Sequence, residues 1–269
     1  MNAIDPRHED QFWQDMATHW QFEDNHRLAF VQRLLHSNDD LNWVNLADVL
    51  TRTLRVEDPA KFLQDSWNKK ILPRLLDLAQ EDGFGWGNGE RQKWKKVRQW
   101  HEEKLYPSWL WQQVRRVSLP TTLMGVRRSE TVADLKMFPD TPSPYLTEVP
   151  VGSAIIFEGE FEPSCHLLLL ERDAENIVYC LCPSKFAPNS KCNGDRVKLP
   201  QAKNEAFQPS VIGSEQLVAI LSTAEPSFSW WERARLEAMA LQSDQLQDVL
   251  NYVETAQDVQ VLYSEYQVV

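Results

Sequence analysis

No run of apolar residues in this chain of 269 approaches the roughly 18 that a membrane-spanning helix needs, so a helical membrane protein is excluded. Cysteine is scarce: the four residues all lie between Cys165 and Cys192. So few thiols, confined to one region, argue against a disulfide framework. There is no His-x-x-x-His pair, no Gly-x-Ser-x-Gly elbow and no kinase set of motifs. Internal repeats and low-complexity tracts are missing too. A basic surplus is also lacking, since 28 Lys and Arg stand against 39 Asp and Glu, a net charge of −11. The opening "MNAIDPRHEDQFWQD" is polar and acidic where a signal peptide would be hydrophobic, and the default expectation is a cytoplasmic protein.

What is present fits a globular protein of two parts. The chain is 42% hydrophobic and 25% charged, and its length suits two domains. Its halves differ. Residues 1–120 carry 17 Lys/Arg against 18 Asp/Glu, or −1, while residues 121–269 carry 11 against 21, or −10. Such an acidic second half repels phosphates, which makes nucleic-acid binding there unlikely. Nine of the eleven tryptophans precede residue 112.

The first half predicts helices. In "DNHRLAFVQRLLHS", Asp24 or Asn25 can cap a helix that carries Leu28, Val31, Leu34 and Leu35 at helical spacing. "LNWVNLADVLTRTL" repeats the pattern. Asp58-Pro59 is a start signal, because the Asp side chain caps and the proline falls where a missing N–H costs nothing. Pro73 should kink or restart that helix. A further helix is expected from about Glu90, with Pro107 interrupting it before "SWLWQQVRRV".

The second half predicts strands. Pro120, Pro139, Pro142, Pro144 and Pro150 mark a junction. "SAIIFEGEF", "CHLLLLERD", "NIVYCLCPS", "DRVKLP" and "SEQLVAILST" follow as strand runs, with a turn at Ala174, Glu175 and Asn176. "FSWWERARLEAMALQSDQLQDVLNYVET" reads as one amphipathic helix, and "VQVLYSEYQVV" as a closing strand. The prediction is an α+β protein: a helical domain over 1–120, a Pro-rich junction over 121–145, and a mainly antiparallel β domain over 146–269 closed by a helix and a strand.

The ordered set Pro183-Ser184, Leu199-Pro200 and Gly213 through Leu217, within roughly residues 145–225, resembles the accessory β-domain family catalogued as domain of unknown function 4384. The resemblance implies no catalytic residues. It implies a context: appendages of bacterial signalling and stress or defence proteins, often near caspase-like peptidases or kinases.

Four features bear on chemistry. The first is Cys180, Cys182 and His166, with Cys165 nearby. Cys-x-Cys inside an apolar strand places both thiols on one face, a poor fit to zinc pairs on turns. Buried thiols are inert, and no oxyanion-forming turn adjoins them. Core cysteines are therefore expected, with Cys192 as the exposed one. The second is "DGFGWGNGE", whose glycines at 83–89 precede a helix. It lacks the preceding strand and the Gly-Lys-Ser/Thr ending of a phosphate loop. The third is "RQKWKKVRQW", which sets Lys95, Lys96 and Arg98 among Trp94 and Trp100, with Trp86 upstream. It suits an acidic protein partner, or single-stranded nucleic acid through residues 91–98. Its plain alternative is an amphipathic helix with Trp94, Val97 and His101 inward. The fourth is Glu158, Glu160 and Glu162 on one strand face, which has to be wet or meet a basic group.

Together these predict a non-enzymatic adaptor or regulatory protein that recruits another protein, with no cofactor, no metal and no membrane. Its expected contact residues are Trp86, Trp94, Lys95, Lys96, Arg98 and Trp100. A Cys/His hydrolase using His166, Cys180 and Cys182 is one alternative, and a nucleic-acid binder is another.

Overall fold

Two Asp-Pro pairs start helices. Asp5 accepts a hydrogen bond from the Arg7 N–H at 2.9 Å, and α1 runs Pro6–His19. Asp58 accepts from the Lys61 N–H at 3.0 Å, and α4 runs Pro59–Ser66. In each, proline fills the first turn, where its missing N–H has no intrahelical partner to lose. The structure is a computed structural model that describes residues 4–50, 53–85, 93–129, 144–194, 196–202 and 204–269.

Between these helices lie α2 (Asp24–Leu34), a 3₁₀ turn (His36–Asn38) and α3 (Trp43–Leu50). Neither Asp24 nor Asn25 caps α2; the cap position belongs to Glu23, which makes no side-chain capping bond. Pro73 acts as expected and leaves a trace. A π-helical turn, Trp67–Ile71, precedes it, with the Leu72 N–H bonded to the Trp67 carbonyl, and α5 then runs Leu72–Glu81. The wider turn takes up a residue just where the proline ring would crowd the carbonyl four residues back.

Pro107 corrects the other expectation. Helix α6 continues through it, from Lys93 to Arg116. A proline inside a helix costs about 3 kcal/mol. Here buried side chains flank it on both sides, Val97, Tyr106 and Trp109 before and after it, then Leu110, Trp111 and Val114.

The chain divides into two compact units, Met1–Trp109 and Leu110–Val269, so the division falls inside α6, ahead of residue 120. The first unit is cored by aromatics. Phe12 meets Tyr106 and Trp109 edge-on, at ring-centroid distances of 5.2 and 5.8 Å, and Trp13 meets Phe30 at 5.8 Å. Edge-to-face contacts of this kind add to area burial.

The second unit holds ten strands among the described residues: β1 (Leu119–Pro120), β2 (Met124–Arg128), β3 (Glu148–Val149), β4 (Ile155–Glu160), β5 (His166–Arg172), β6 (Val178–Cys182), β7 (Arg196–Leu199), β8 (Gly213–Ser222), β9 (Met239–Ala240) and β10 (Val259–Val268). The larger sheet has the order β1-β10-β8-β5-β6-β9, with β3 also on β10. The smaller one is β2-β4-β7. Met124, Val126, Ile155, Phe157 and Leu199 of the small sheet share one buried cluster with Leu167, Leu169, Leu217, Ala219 and Leu262 of the large one. The two sheets thus pack face to face, as alternating strands require when each has one apolar face inward. The far face of the large sheet receives the end of α6: Trp111 donates its indole N–H to Gln216 Oε1 at 2.7 Å.

Two readings are corrected here. Residues 228–255 do not form one helix. They form α7 (Trp231–Ala234), then β9, then α8 (Ser243–Thr255). Strand β9 pairs with the outer side of β6, Tyr179 opposite Ala240 and Cys180 opposite Met239, which satisfies backbone groups that a helix would leave unpaired. A capping box of Gln242 and Gln245 restarts the chain as α8. Second, the 121–145 stretch contributes β2 to the small sheet, antiparallel to β4; residues 130–143 of it lie outside the described residues. Glu158 and Glu160 of the glutamate stripe sit on β4, the middle strand of that sheet, so they guard no edge, and Glu162 lies past its end. Arg127 pairs with Glu158 at 2.8 Å and Arg196 with Glu160 at 2.9 Å. Neighbouring strands supply the basic groups that the stripe needs.

Candidate functional site

Helix α6 sorts the aromatic–basic segment into two faces. Trp94, Lys95 and Arg98 turn toward the chain itself. Arg98 is buried, and its guanidinium donates to both Asp39 oxygens at 2.5 and 3.0 Å and to the Leu34 carbonyl at 3.2 Å. Lys95 Nζ lies 3.5 Å from Asp39 Oδ2. The Trp94 ring is ringed by cations: Arg33 at 4.5 Å, Arg98 at 5.3 Å and Lys95 at 5.5 Å from its centroid. Cation–π contacts hold these groups in place. Val97 and His101 are buried as the amphipathic reading expects; Arg98 joins them, which periodicity did not suggest.

On the other face Lys96 and Glu103 are exposed among the described residues. Phe84, Gly85, Lys96, Gln99, Trp100 and Glu103 line a hollow of about 250 Å³. The Phe84 and Trp100 rings lie 5.1 Å apart, Lys104 Nζ stands 4.9 Å over Trp100, and Gln99 donates to Glu103 at 2.9 Å. Of the expected contact residues, Lys96 and Trp100 line this hollow, Arg98 does not reach it, and Trp86 lies outside the described residues, as do Gly87 and Gly89 of the glycine stretch.

Behind the inward face is an ionic cluster that the sequence pattern does not announce, drawing on two acidic pairs, Asp39-Asp40 and Glu102-Glu103. Only Asp40 and Glu103 are exposed. Glu9 of α1 accepts from the His36 backbone N–H at 2.8 Å and lies 2.5 Å from His36 Nδ1. On the other side of the ring, His36 Nε2 is 3.8 Å from Glu102 Oε1, which is 3.6 Å from Arg98 Nε. The hydrogen bond to Glu9 raises the His36 pKa against the opposing effect of burial. Burial pushes Glu102 up to about 7, although His36 and Arg98 pull the other way. Burial also opposes ionisation of Asp39, but Arg98 and Lys95 outweigh it and hold that carboxyl below its usual range. Glu9, His36 and Glu102 have metal-ligating composition, with one ligand atom of each within 4.8 Å of the others. The Arg98 guanidinium already sets a positive charge beside Glu102, and a divalent cation there would be repelled by it. Within the cluster the hydrogen bond of the His36 ring is to Glu9, while Glu102 stands beyond hydrogen-bond reach at 3.8 Å. The sequence did hold one signal: Arg98 and Glu102 are four apart on a helix.

The cysteine–histidine set falls apart in three dimensions. The β5–β6 hairpin forms as expected, with Asn176 at φ 68° in its turn. Its register shifts between Leu169 and Leu170, so Leu169 faces Cys182 while Leu170 faces Cys180. Leu181 is the extra residue of a bulge. Because Leu169 and Leu170 point to opposite faces, so do Cys180 and Cys182, which corrects the shared-face reading. Each thiol is bonded to a carbonyl, Cys180 to Pro183 at 3.1 Å and Cys182 to Asn189 at 3.8 Å. Burial raises both pKa values, that of Cys182 to about 12. His166 turns elsewhere: its Nδ1 is 3.3 Å from Ser190 Oγ and 3.7 Å from Glu225 Oε1, while Ser190 donates directly to Glu225 at 2.6 Å. In a nucleophilic triad the imidazole stands between hydroxyl and carboxylate, one on each nitrogen. Here both share one nitrogen, and Ser190 is buried. Cys192, expected to be exposed, is buried; Cys165 is the half-buried one.

One further group went unread. Glu215 is buried and Glu171 half-buried on one face of the large sheet, and Tyr266 donates its hydroxyl to Glu171 at 2.9 Å. Burial pushes Glu171 up to about 7 and Glu215 up to about 8. Comparison with family models, curated proteins and solved structures finds no match to this chain.

Proposed function

We propose that the protein is a non-enzymatic adaptor or regulatory module that recruits another protein through the open face of α6. One observation carries this reading. The hollow floored by Phe84 and Trp100 is lined by Lys96 alongside Glu103, and Lys104 stands over the Trp100 ring. Aromatic anchors of this kind dominate protein interfaces, and neighbouring positive charge favours an acidic partner. Phosphate binding is less well supported. Arg98 and Lys95 are engaged with Asp39, and the net charge of −11 repels a long polyanion. A Cys/His hydrolase has no support in the placement of His166, Cys180 and Cys182. The resemblance of residues 145–225 to the accessory β-domain family supports a bacterial signalling or stress setting, and a cytoplasmic site of action goes with it. No helix among the described residues is long and apolar enough to cross a membrane.

The test is capture by tagged full-length protein. Lys96→Glu/Lys104→Glu should lose a partner that the wild type holds, at unchanged thermal stability. Retention of that partner by the double variant contradicts the reading. So does salt-sensitive binding of the wild type to random single-stranded nucleic acid that the variant loses.

A further inference from the structure

We infer that Cys165 and Cys192 form a disulfide on exposure to a peroxide, making a reversible staple at the start of β5. The geometry begins with Ser164, a non-glycine residue at φ 73°. Its N–H bonds to the Cys192 carbonyl at 3.0 Å, and the Cys192 N–H bonds back to the Cys165 carbonyl at 2.8 Å. Two residues against one, the first in the left-handed region, is a bulge that sets Cys165 directly opposite Cys192. Beyond it, Leu167 N–H bonds to the Ser190 carbonyl at 2.8 Å, so the two segments run on as an antiparallel pair around His166 and Lys191. Hydrogen-bonded antiparallel partners have Cα atoms about 5.5 Å apart. That lies inside the span of about 4.4–6.8 Å that a disulfide bridges.

The electrostatics agree with this placement, since burial and then the neighbouring Cys165 thiol raise the Cys192 pKa. Access is one-sided. Cys165 is half-buried and Cys192 is enclosed in the core cluster. The competing thiols of Cys180 and Cys182 are buried and bonded to carbonyls.

The chemistry balances with hydrogen peroxide as the oxidant. The Cys165 sulfur attacks one peroxide oxygen; an S–O bond forms, the O–O bond breaks, and the departing hydroxide takes the Cys165 proton and leaves as water. The Cys192 sulfur then attacks the sulfenic sulfur; the S–S bond forms, the S–O bond breaks, and a second water leaves with the Cys192 proton. Two sulfurs give up two electrons to the two peroxide oxygens. The product closes residues 165–192 into a covalent ring and fixes the return segment from Pro183 to Cys192 against β5.

The experiment uses the full-length protein, reduced, freed of reductant and treated with hydrogen peroxide. Free thiols are alkylated under denaturing conditions, and the digest is mapped without reduction. The expected map has a linked pair of Cys165 and Cys192 peptides, alkylated Cys180 and Cys182, and reversal by dithiothreitol. Oxidation should raise Tm, and Cys165→Ser should lose both the linked pair and the Tm rise. Four alkylated thiols overturn the inference, as does Cys165 recovered as sulfinic acid beside an alkylated Cys192, or a link that uses Cys180 or Cys182. None of these outcomes depends on a variant folding.

Discussion

In the helical unit Asp39 meets a guanidinium and stays ionised; in the strand unit Glu171 and Glu215 meet a phenol and a backbone N–H and keep their protons near neutral pH. Glu102 is the intermediate case, with Arg98 and His36 countering burial without overcoming it. The difference teaches that a buried acid takes its charge from the partner that the fold brings to it. Asp39 lies in a loop and Arg98 on α6, and the two are joined only in the folded chain. On the β face, Glu171 has the Tyr266 hydroxyl, Glu215 has the Ala174 backbone, and Asp173 adds a further negative charge.

Removing Arg98 should have the largest effect. Arg98→Met leaves Asp39 and Glu102 without their guanidinium, and breaking a buried pair in this way costs about 3–5 kcal/mol. Urea unfolding of the full chain measures it. Adding Asp39→Asn to Arg98→Met should recover part of the loss; if the two losses simply add, the pair is not coupled.

The strand unit should answer to pH instead. Glu171 and Glu215 have folded pKa values raised from 4.5 to about 7 and about 8. Their folded forms hold protons that the unfolded chain releases, so the stability they allow is full below about pH 4.5 and is lost as pH rises through 7–8. For Glu171 the loss is on the order of 3 kcal/mol. Denaturation midpoints between pH 6 and 9 should fall with rising pH in the wild type. They should fall much less in Glu171→Gln/Glu215→Gln. An equal slope in both proteins would mean that these carboxyls are already ionised.

A smaller effect belongs to local capping. Asp58→Ala should cost about 1 kcal/mol and Asp58→Asn little, since Asn caps nearly as well. Helicity and Tm of the full chain report it.

What the sequence made legible was local. Apolar runs located β5, β6, β8 and β10, and the Asp58-Pro59 signal located the start of α4. The same signal at Asp5-Pro6 starts α1, yet that stretch shows only a polar opening because its apolar partners, Tyr106 and Trp109, are far along the chain. What stayed hidden was set by distant contacts. Pro107 sits inside α6 because buried side chains flank it. Met239 and Ala240 are a strand because β6 has a free side. Leu181 bulges, and that single extra residue sends Cys180 and Cys182 to opposite faces. The proposed partner site is half legible: spacing groups Lys96 and Trp100 with Arg98, whose partners Leu34 and Asp39 lie 64 and 59 residues away.

The claim that the open face of α6 is the binding surface is tested most directly by site-specific photo-crosslinking in the full chain. A photoreactive residue replaces Gln99 beside Trp100 in one protein, and Leu236, exposed in the strand unit, in another. The account expects a partner adduct from position 99 that disappears when Lys96→Glu/Lys104→Glu is added, with none from position 236. Adducts from position 236 alone would contradict it.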